Sequence, residues 1–188
     1  MKEALVERDY SVLWTREPGG TRIAEQIREV LHRPDNQEMA PTAEILLYSA
    51  ARAQHTIEKI RPALAAGQIV LCDRYYDSTL AYQGYGRGLD LATLRLVTQF
   101  ATGGLVPDLT LYFDIDPEEG LQRRQRDQAA EWNRLDGEAL AFHRRVHEGY
   151  QQLIAAEPGR WVVVDAARAV EVVQAEVLQV VLARLAAR

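Results

Sequence analysis

Apolar positions along the chain follow two alternating patterns, short unbroken runs and longer stretches with helical spacing. The short runs lie at 11–15, 69–72, 109–114 and 161–164. Each is nearly continuously apolar, as a strand covered on both faces should be. The stretch 43–65 carries Leu46, Ala50, Ala53, Ile57, Ile60 and Leu64 at spacings of four and three. This predicts one buried helical stripe, with Tyr48, Arg52, His55 and Lys59 on the other face. After Asp114 a helix start is well specified, with Asp116 as N-cap, Pro117 in the first position and Glu119 closing a capping box. Val170, Val173, Val177, Val181 and Leu185 make the last helix an amphipathic cover. Residues 1–8 read as the end of another amphipathic helix. Strands and helices alternating in this way predict an α/β fold, a parallel sheet covered by helices on both faces. The stretch 126–137 has no firm period and is the candidate for a mobile lid.

Composition and charge narrow the partners more than the fold. At 188 residues, 47% hydrophobic and 26% charged, the chain has ordinary globular make-up for one domain. Its net charge of -5 argues against a general nucleic-acid or membrane-surface binder, because both rely on a basic field. The one cysteine, Cys72, falls in an expected buried strand, excludes an intramolecular disulfide and fits a reducing cytoplasm. No apolar run has membrane-spanning length, and 1–10 lacks the apolar centre of a signal peptide.

Candidate chemistry gathers at two strand ends. Asp73-Arg74 follows the run 69–72, and Thr15-Arg16-Glu17-Pro18-Gly19-Gly20-Thr21 follows 11–14. In an open parallel sheet, ligands bind beyond the carboxyl ends of the strands, so charge at both ends marks a polyanion site. Asp73 is placed to bind Mg2+ or accept a hydroxyl proton, and Arg74 to clamp phosphate; a structural ion pair is the plainer reading of the same two residues. The aromatic, hydroxyl and amide groups from Tyr75 to Gly84 suit a nucleobase. Pro18-Gly19-Gly20 gives a tight turn that lets backbone approach a ligand, and Thr21 caps the helix beyond it. Tyr48 and Arg52 share a helix face, either to stack and hold a nucleotide or as a solvated surface. Arg123, Arg124 and Arg126 sit where the macrodipole favours cations, and the same cluster could close over a transferring phosphoryl group. His143 and His147 have the spacing of a helical zinc pair but no third ligand at a convincing distance in sequence. Gly84-Tyr85-Gly86-Arg87-Gly88 reads as a flexible loop. No G-x-x-x-x-G-K-[ST] run occurs anywhere.

Taken in order, several segments resemble bacterial thymidylate kinase: 15–21, Leu47-Tyr48-Ser49-Ala50-Ala51-Arg52-Ala53-Gln54-His55, Asp73-Arg74-Tyr75 through Gln83-Gly84, Pro107-Asp108-Leu109-Thr110-Leu111-Tyr112 and the arginine-rich segment. The match is collinear over essentially the whole chain. The resemblance implies a P-loop nucleoside monophosphate kinase fold and transfer of the ATP γ-phosphate to dTMP, giving dTDP, with Mg2+. It implies that Tyr48 stacks on thymine, Arg52 engages the base, Arg74 holds the dTMP phosphate, and Asp73 serves the metal and phosphate network. Thr79 and Gln83 would line the nucleoside pocket, and Tyr82 would sit against the sugar and disfavour a 2′-hydroxyl. Arg16 and Glu17 belong to the loop framing the acceptor phosphate. Arg123, Arg124 and Arg126 resemble a lid that carries the catalytic arginine, with Arg123, Asp165 and Ala166 on the ATP side. A homodimer in the cytoplasm, without nucleic-acid or membrane partners, is also implied.

Against the family pattern, the chain is expected to lack the N-terminal strand, which is central in the family's sheet, and the phosphate-binding loop. It would then be a single, N-terminally truncated domain over 1–188 with a lid at 123–137, impaired in turnover as it stands. Asn133-Arg134 stands where the family's lid usually carries Asp-Arg. The alternative is a non-catalytic nucleotide-binding or interaction module derived from a kinase fold. Another nucleoside monophosphate kinase is disfavoured by the Tyr82-Gln83-Gly84 context.

Overall fold

The computed structural model describes residues 1–126 and 133–187. Helix α1, Lys2–Val6, leads into strand β1, Val12–Arg16, which pairs in parallel with β2, Ile69–Asp73, from Val12 opposite Ile69 to Arg16 opposite Asp73. Strand β3, Thr110–Asp114, pairs in parallel with β4, Trp161–Asp165, from Thr110 opposite Trp161 to Asp114 opposite Asp165. The strands form two two-stranded sheets, and both ladders end on charged residues at their carboxyl ends.

The expectation of a missing N-terminal strand is corrected. Strand β1 is present and fully laddered to β2, so the α/β arrangement of parallel strands and flanking helices includes its first strand. The run Val12-Leu13-Trp14 ahead of the turn at Pro18-Gly19-Gly20 is enough to form it, because pairing with β2 satisfies its backbone groups. The strands are also less enclosed than their apolar runs imply. Cys72 is half-buried, and Trp14, Phe113 and Val163 are exposed.

A second correction concerns the helical stretch after residue 40. Helix α3, Pro41–His55, continues through a π-helical turn, Thr56–Ile60, into α4, Arg61–Ala65. Its buried side carries the polar Tyr48, Arg52 and His55 together with Ile45, Ala51 and Ile60, while Leu46 and Ile57 of the expected stripe are 56% and 67% exposed. Spacing located a helix with two faces but could not tell which face went inside. Burial of the polar residues is possible because Arg52 and His55 find partners there.

Helix α2, Arg22–His32, is capped by Thr21, whose hydroxyl accepts from the Ala24 N–H at 3.4 Å. Beyond β2 a short helix α5, Tyr76–Thr79, runs into a π-helical turn, Leu80–Gly86, and then α6, Leu91–Thr102, capped by Asp90. The flexible loop expected at 84–88 is therefore corrected: 84–86 are helical, and Gly84 and Gly86 are buried. Helix α7, Pro117–Arg126, starts as expected, with Asp116 accepting from the N–H groups of Glu118 and Glu119. Helices α8, Leu140–Ala156, and α9, Val170–Ala186, complete the chain.

The main core lies between the Leu80–Gly86 turn and α8, built from Leu80, Ala81, Phe142, Val146 and Leu153 with Ile45, Leu94 and Trp161. Two close approaches fix this contact. A Cβ on Gly86 would stand 2.7 Å from the Phe142 ring, and one on Gly149 would stand 2.6 Å from Tyr85. Side chains tie the two strand pairs together as well. Arg160, at the foot of β4, donates to both carboxylate oxygens of Asp77 in α5, at 2.7 and 2.8 Å.

Candidate functional site

The carboxyl ends of β1 and β2 carry the turn 17–21 side by side with Asp73 and Arg74. The Glu17 N–H donates to the Asp73 carbonyl at 2.9 Å, extending the ladder by one residue. The Gly20 N–H and Arg16 both donate to Glu25, at 2.8 and 3.3 Å. Burial works to raise the Glu25 pKa, but the Gly20 N–H and the Arg16 and Arg28 guanidinium groups outweigh it, so the carboxyl titrates below its usual value.

Behind this turn lies a buried polar network. Arg52 donates through Nε to Glu17 Oε2 at 2.7 Å and through Nη1 to Thr79 Oγ1 at 3.0 Å. The other Glu17 oxygen lies 3.1 Å from His55 Nδ1, and His55 Nε2 lies 2.7 Å from Thr15 Oγ1. A carboxylate only accepts, so Nδ1 carries a proton toward Glu17, and Nε2 and the Thr15 hydroxyl share the second hydrogen bond of the ring. The guanidinium of Arg52 also stands 5.8 Å from the Tyr75 ring centroid. Three elements thus hold Arg52 in one orientation.

A second buried carboxylate, Glu44, lies one helical turn before Tyr48 and is fully enclosed. It accepts from Gln83 Nε2 at 2.8 Å, from Arg87 at 2.8 and 3.1 Å, and from Arg134 Nη2. Burial alone would raise its pKa; the donors from Arg87, Gln83 and Arg134 more than reverse this and keep it ionised. Tyr48 is buried beside Glu44, Arg74, Arg134 and Tyr82, and burial, then the Glu44 charge, pushes its phenol up to about 12.

Arg74 occupies left-handed backbone, φ 64, and its guanidinium lies 5.1 Å from the Tyr82 ring centroid. Asp73 is exposed at the end of β2. Near Arg74, His32 is pushed down to about 4, first by burial and then by the charges of Arg28 and Arg74.

The expected ATP-side residues come together in part. Arg123 donates to the Ala166 carbonyl at 2.8 Å, while the neighbouring Asp165 carboxylate accepts from the Ala167 N–H at 2.9 Å. Arg124 reaches Asp136 at 3.2 Å. Arg126 is exposed at the end of α7 and is not drawn into this group. Of the expected lid, 127–132 lie outside the described residues.

The thymidylate kinase family profile matches residues 1–177. The chain belongs to the thymidylate kinase family. It is 55% identical over 179 residues to the thymidylate kinase of Roseiflexus sp. (strain RS-1), spanning 90% of this chain and 79% of that one. It is 53% identical over 171 residues to that of Bacillus licheniformis, spanning 91% and 81%. With that of Geobacillus sp. (strain WCH70) it is 48% identical over 188 residues, spanning 100% and 90%.

Within this thymidylate kinase family member, sequence reasoning missed Glu44, Arg87 and the role of His55. Glu44, Tyr48 and Arg52 are spaced i, i+4, i+8 on one helix face, a signal that could have exposed the first. The zinc reading of His143 and His147 finds them in other roles, since His147 lies 2.9 Å from Asp114 and His143 packs edge-on against Phe142. Among the described residues no group of three or more His, Cys, Asp or Glu side chains is placed to hold a metal ion. No helix among them is long and apolar enough to cross a membrane. An open cleft of about 380 Å³ beside β1 is lined by Trp14, Arg16, Arg22 and Lys59 among others. It contains none of Tyr48, Arg52, Thr79 or Gln83, so the polar network rather than the cleft is where the candidate residues meet.

Proposed function

We propose that this chain transfers the γ-phosphate of ATP to dTMP, giving dTDP, with its acceptor site centred on Arg52. The observation that carries this reading is the enclosure of Arg52 by Glu17 and Thr79, with Tyr48 one turn away on the same helix. Tyr48 offers a ring for the base, Arg52 donates to it, and Thr79 and Gln83 line its edge. Tyr82 stands against the sugar. Glu17 acts through Arg52, while Arg16 and the turn glycines frame the acceptor phosphate and Arg74 binds it. Asp73 is one exposed carboxylate, which fits Mg2+ held jointly with nucleotide phosphates, as that ion is commonly bound. Bound there, the ion would neutralise developing phosphate charge. Arg123 and Arg124 serve the donor phosphates, with Asp165 and Ala166 beside adenine, and Arg126 is a further cation exposed at the end of α7.

We further propose a cytoplasmic homodimer. Leu46 and Ile57 are exposed on the 41–60 helical stretch, and Leu96 and Phe100 are 69% and 90% exposed on α6, which packs against it. Large apolar side chains exposed on two packed helices are costly in water and suit burial against a second copy of the chain.

Competition binding tests the reading: dTMP should displace a fluorescent thymidine nucleotide at least about tenfold better than dUMP or AMP. Equal competition by AMP would refute it. Because the 188 residues contain no G-x-x-x-x-G-K-[ST] run, turnover in a coupled assay is expected well below the roughly 1–100 s⁻¹ of kinases. An ordinary rate would overturn that expectation.

A further inference from the structure

Gln83 is 2% exposed, and its amide nitrogen donates to Glu44 Oε1 at 2.8 Å. An amide has a donor end and an acceptor end of nearly equal size, so its direction must be set by what faces it. Here the neighbour is decisive. Glu44 is a carboxylate tied to two arginines, Arg87 and Arg134, and it has nothing to donate. Only the NH₂ end of Gln83 can face it. The carbonyl end, Oε1, is therefore turned the other way, as an acceptor.

The opposite polarity is fixed one helical turn earlier. Thr79 holds Arg52, which has five N–H donors and no acceptor, and Glu17 and Thr79 engage Nε and Nη1. In the proposed acceptor site these two residues thus supply a donor from Arg52 and an acceptor from Gln83. A pyrimidine with a carbonyl next to a ring N–H presents the matching pair; one with an amino group next to a bare ring nitrogen mismatches both.

We propose that Glu44 is a positioning residue that selects the nucleobase class: by locking the Gln83 amide, it restricts the site to bases carrying a ring N–H beside a carbonyl. This rests on the acceptor site proposed above. Glu44 does not touch the base. It acts through Gln83, and the double hold of Arg87 on the carboxylate keeps Glu44 from turning with the amide.

Calorimetric titration of the chain with dTMP, N3-methyl-dTMP and 5-methyl-dCMP tests this directly. The expected result is that both analogues bind at least about a hundredfold more weakly than dTMP, since a site built around a hydrogen bond rejects a partner that lacks it. In Glu44→Gln the facing group can both donate and accept, Gln83 is free to reverse, and the preference for dTMP over 5-methyl-dCMP should narrow at least about tenfold. An unchanged preference in a folded Glu44→Gln chain would overturn the proposal. Proton exchange at the Gln83 side-chain amide, read by NMR in the unaltered chain, decides the matter even if that variant fails to fold. The locked amide should exchange at least about tenfold more slowly than that of exposed Gln122, and equal rates would count against a lock. If dTMP itself does not bind, the proposed acceptor site fails along with this inference; if dTMP and N3-methyl-dTMP bind equally, this inference fails alone.

Discussion

Arg160 lies on the two carboxylate oxygens of Asp77 like a clasp, 2.7 and 2.8 Å away, and its Nη1 also donates to Thr110 at 2.7 Å. The clasp joins the helix that follows β2 to the start of β4, across two sheets that share no ladder. Removing one member leaves the other charge buried and unpaired. Arg160→Leu should therefore lower stability by about 3–5 kcal/mol, read as a shift in the urea midpoint. A change under about 1 kcal/mol would show that the clasp does not hold the halves together.

In the proposed acceptor site, Arg74 would separate phosphate binding from base binding. Loss of a charge-assisted contact costs about 1.5–3 kcal/mol, so Arg74→Ala should weaken dTMP binding by roughly 10- to 150-fold. Thymidine, which has no phosphate, should bind the variant and the parent alike. Equal losses for both ligands would place Arg74 at the base instead.

Acid should destabilise the chain through His32. Its folded pKa of about 4 lies below the ordinary histidine value of 6.5, so between these values the unfolded chain binds more protons than the folded one. Stability from this group is intact above about pH 6.5 and falls as pH drops toward 4. Thermal melts of His32→Gln should accordingly lose less between pH 7 and pH 4.5 than those of the parent. Depressed carboxyl groups at Glu25 and Glu44 add a further loss at lower pH, common to both proteins.

Charge placed at Ile57, in the π-helical turn after α3, and at Phe100 of α6 should break the proposed dimer. Sedimentation of a chain carrying both Ile57→Glu and Phe100→Glu is expected to give monomers with an unchanged far-ultraviolet spectrum. Dimers that survive the double change would move the interface elsewhere.

Much of this architecture is legible in the residues themselves. The apolar runs ending at Thr15, Cys72 and Asp114 are strands, and the Asp116-Pro117 start of α7 holds because local side-chain to backbone bonds specify it. Glu17, Arg52 and Thr79 were likewise visible as candidates and converge in one network, while Arg16 pairs with Glu25 in the turn beside it. What the sequence hid depends on tertiary partners. A helix face bearing Tyr48, Arg52 and His55 reads as solvated until Glu17 and Thr15, more than thirty residues upstream, are known to meet it. Glu44 stayed hidden for the same reason, since its donors Gln83, Arg87 and Arg134 lie 39, 43 and 90 positions away.

Between the Leu80–Gly86 turn and α8, each partner gives up a side chain where the other presents a ring: Gly86 receives Phe142, and Gly149 receives Tyr85. Neither glycine can acquire even a methyl group unless the opposing element shifts, so these positions resist change. Gln83 stands on that same turn. The part of the chain proposed to choose the base is thereby among the least free to drift, and a change of substrate would come more easily through the groups that aim Gln83 than through the backbone that carries it.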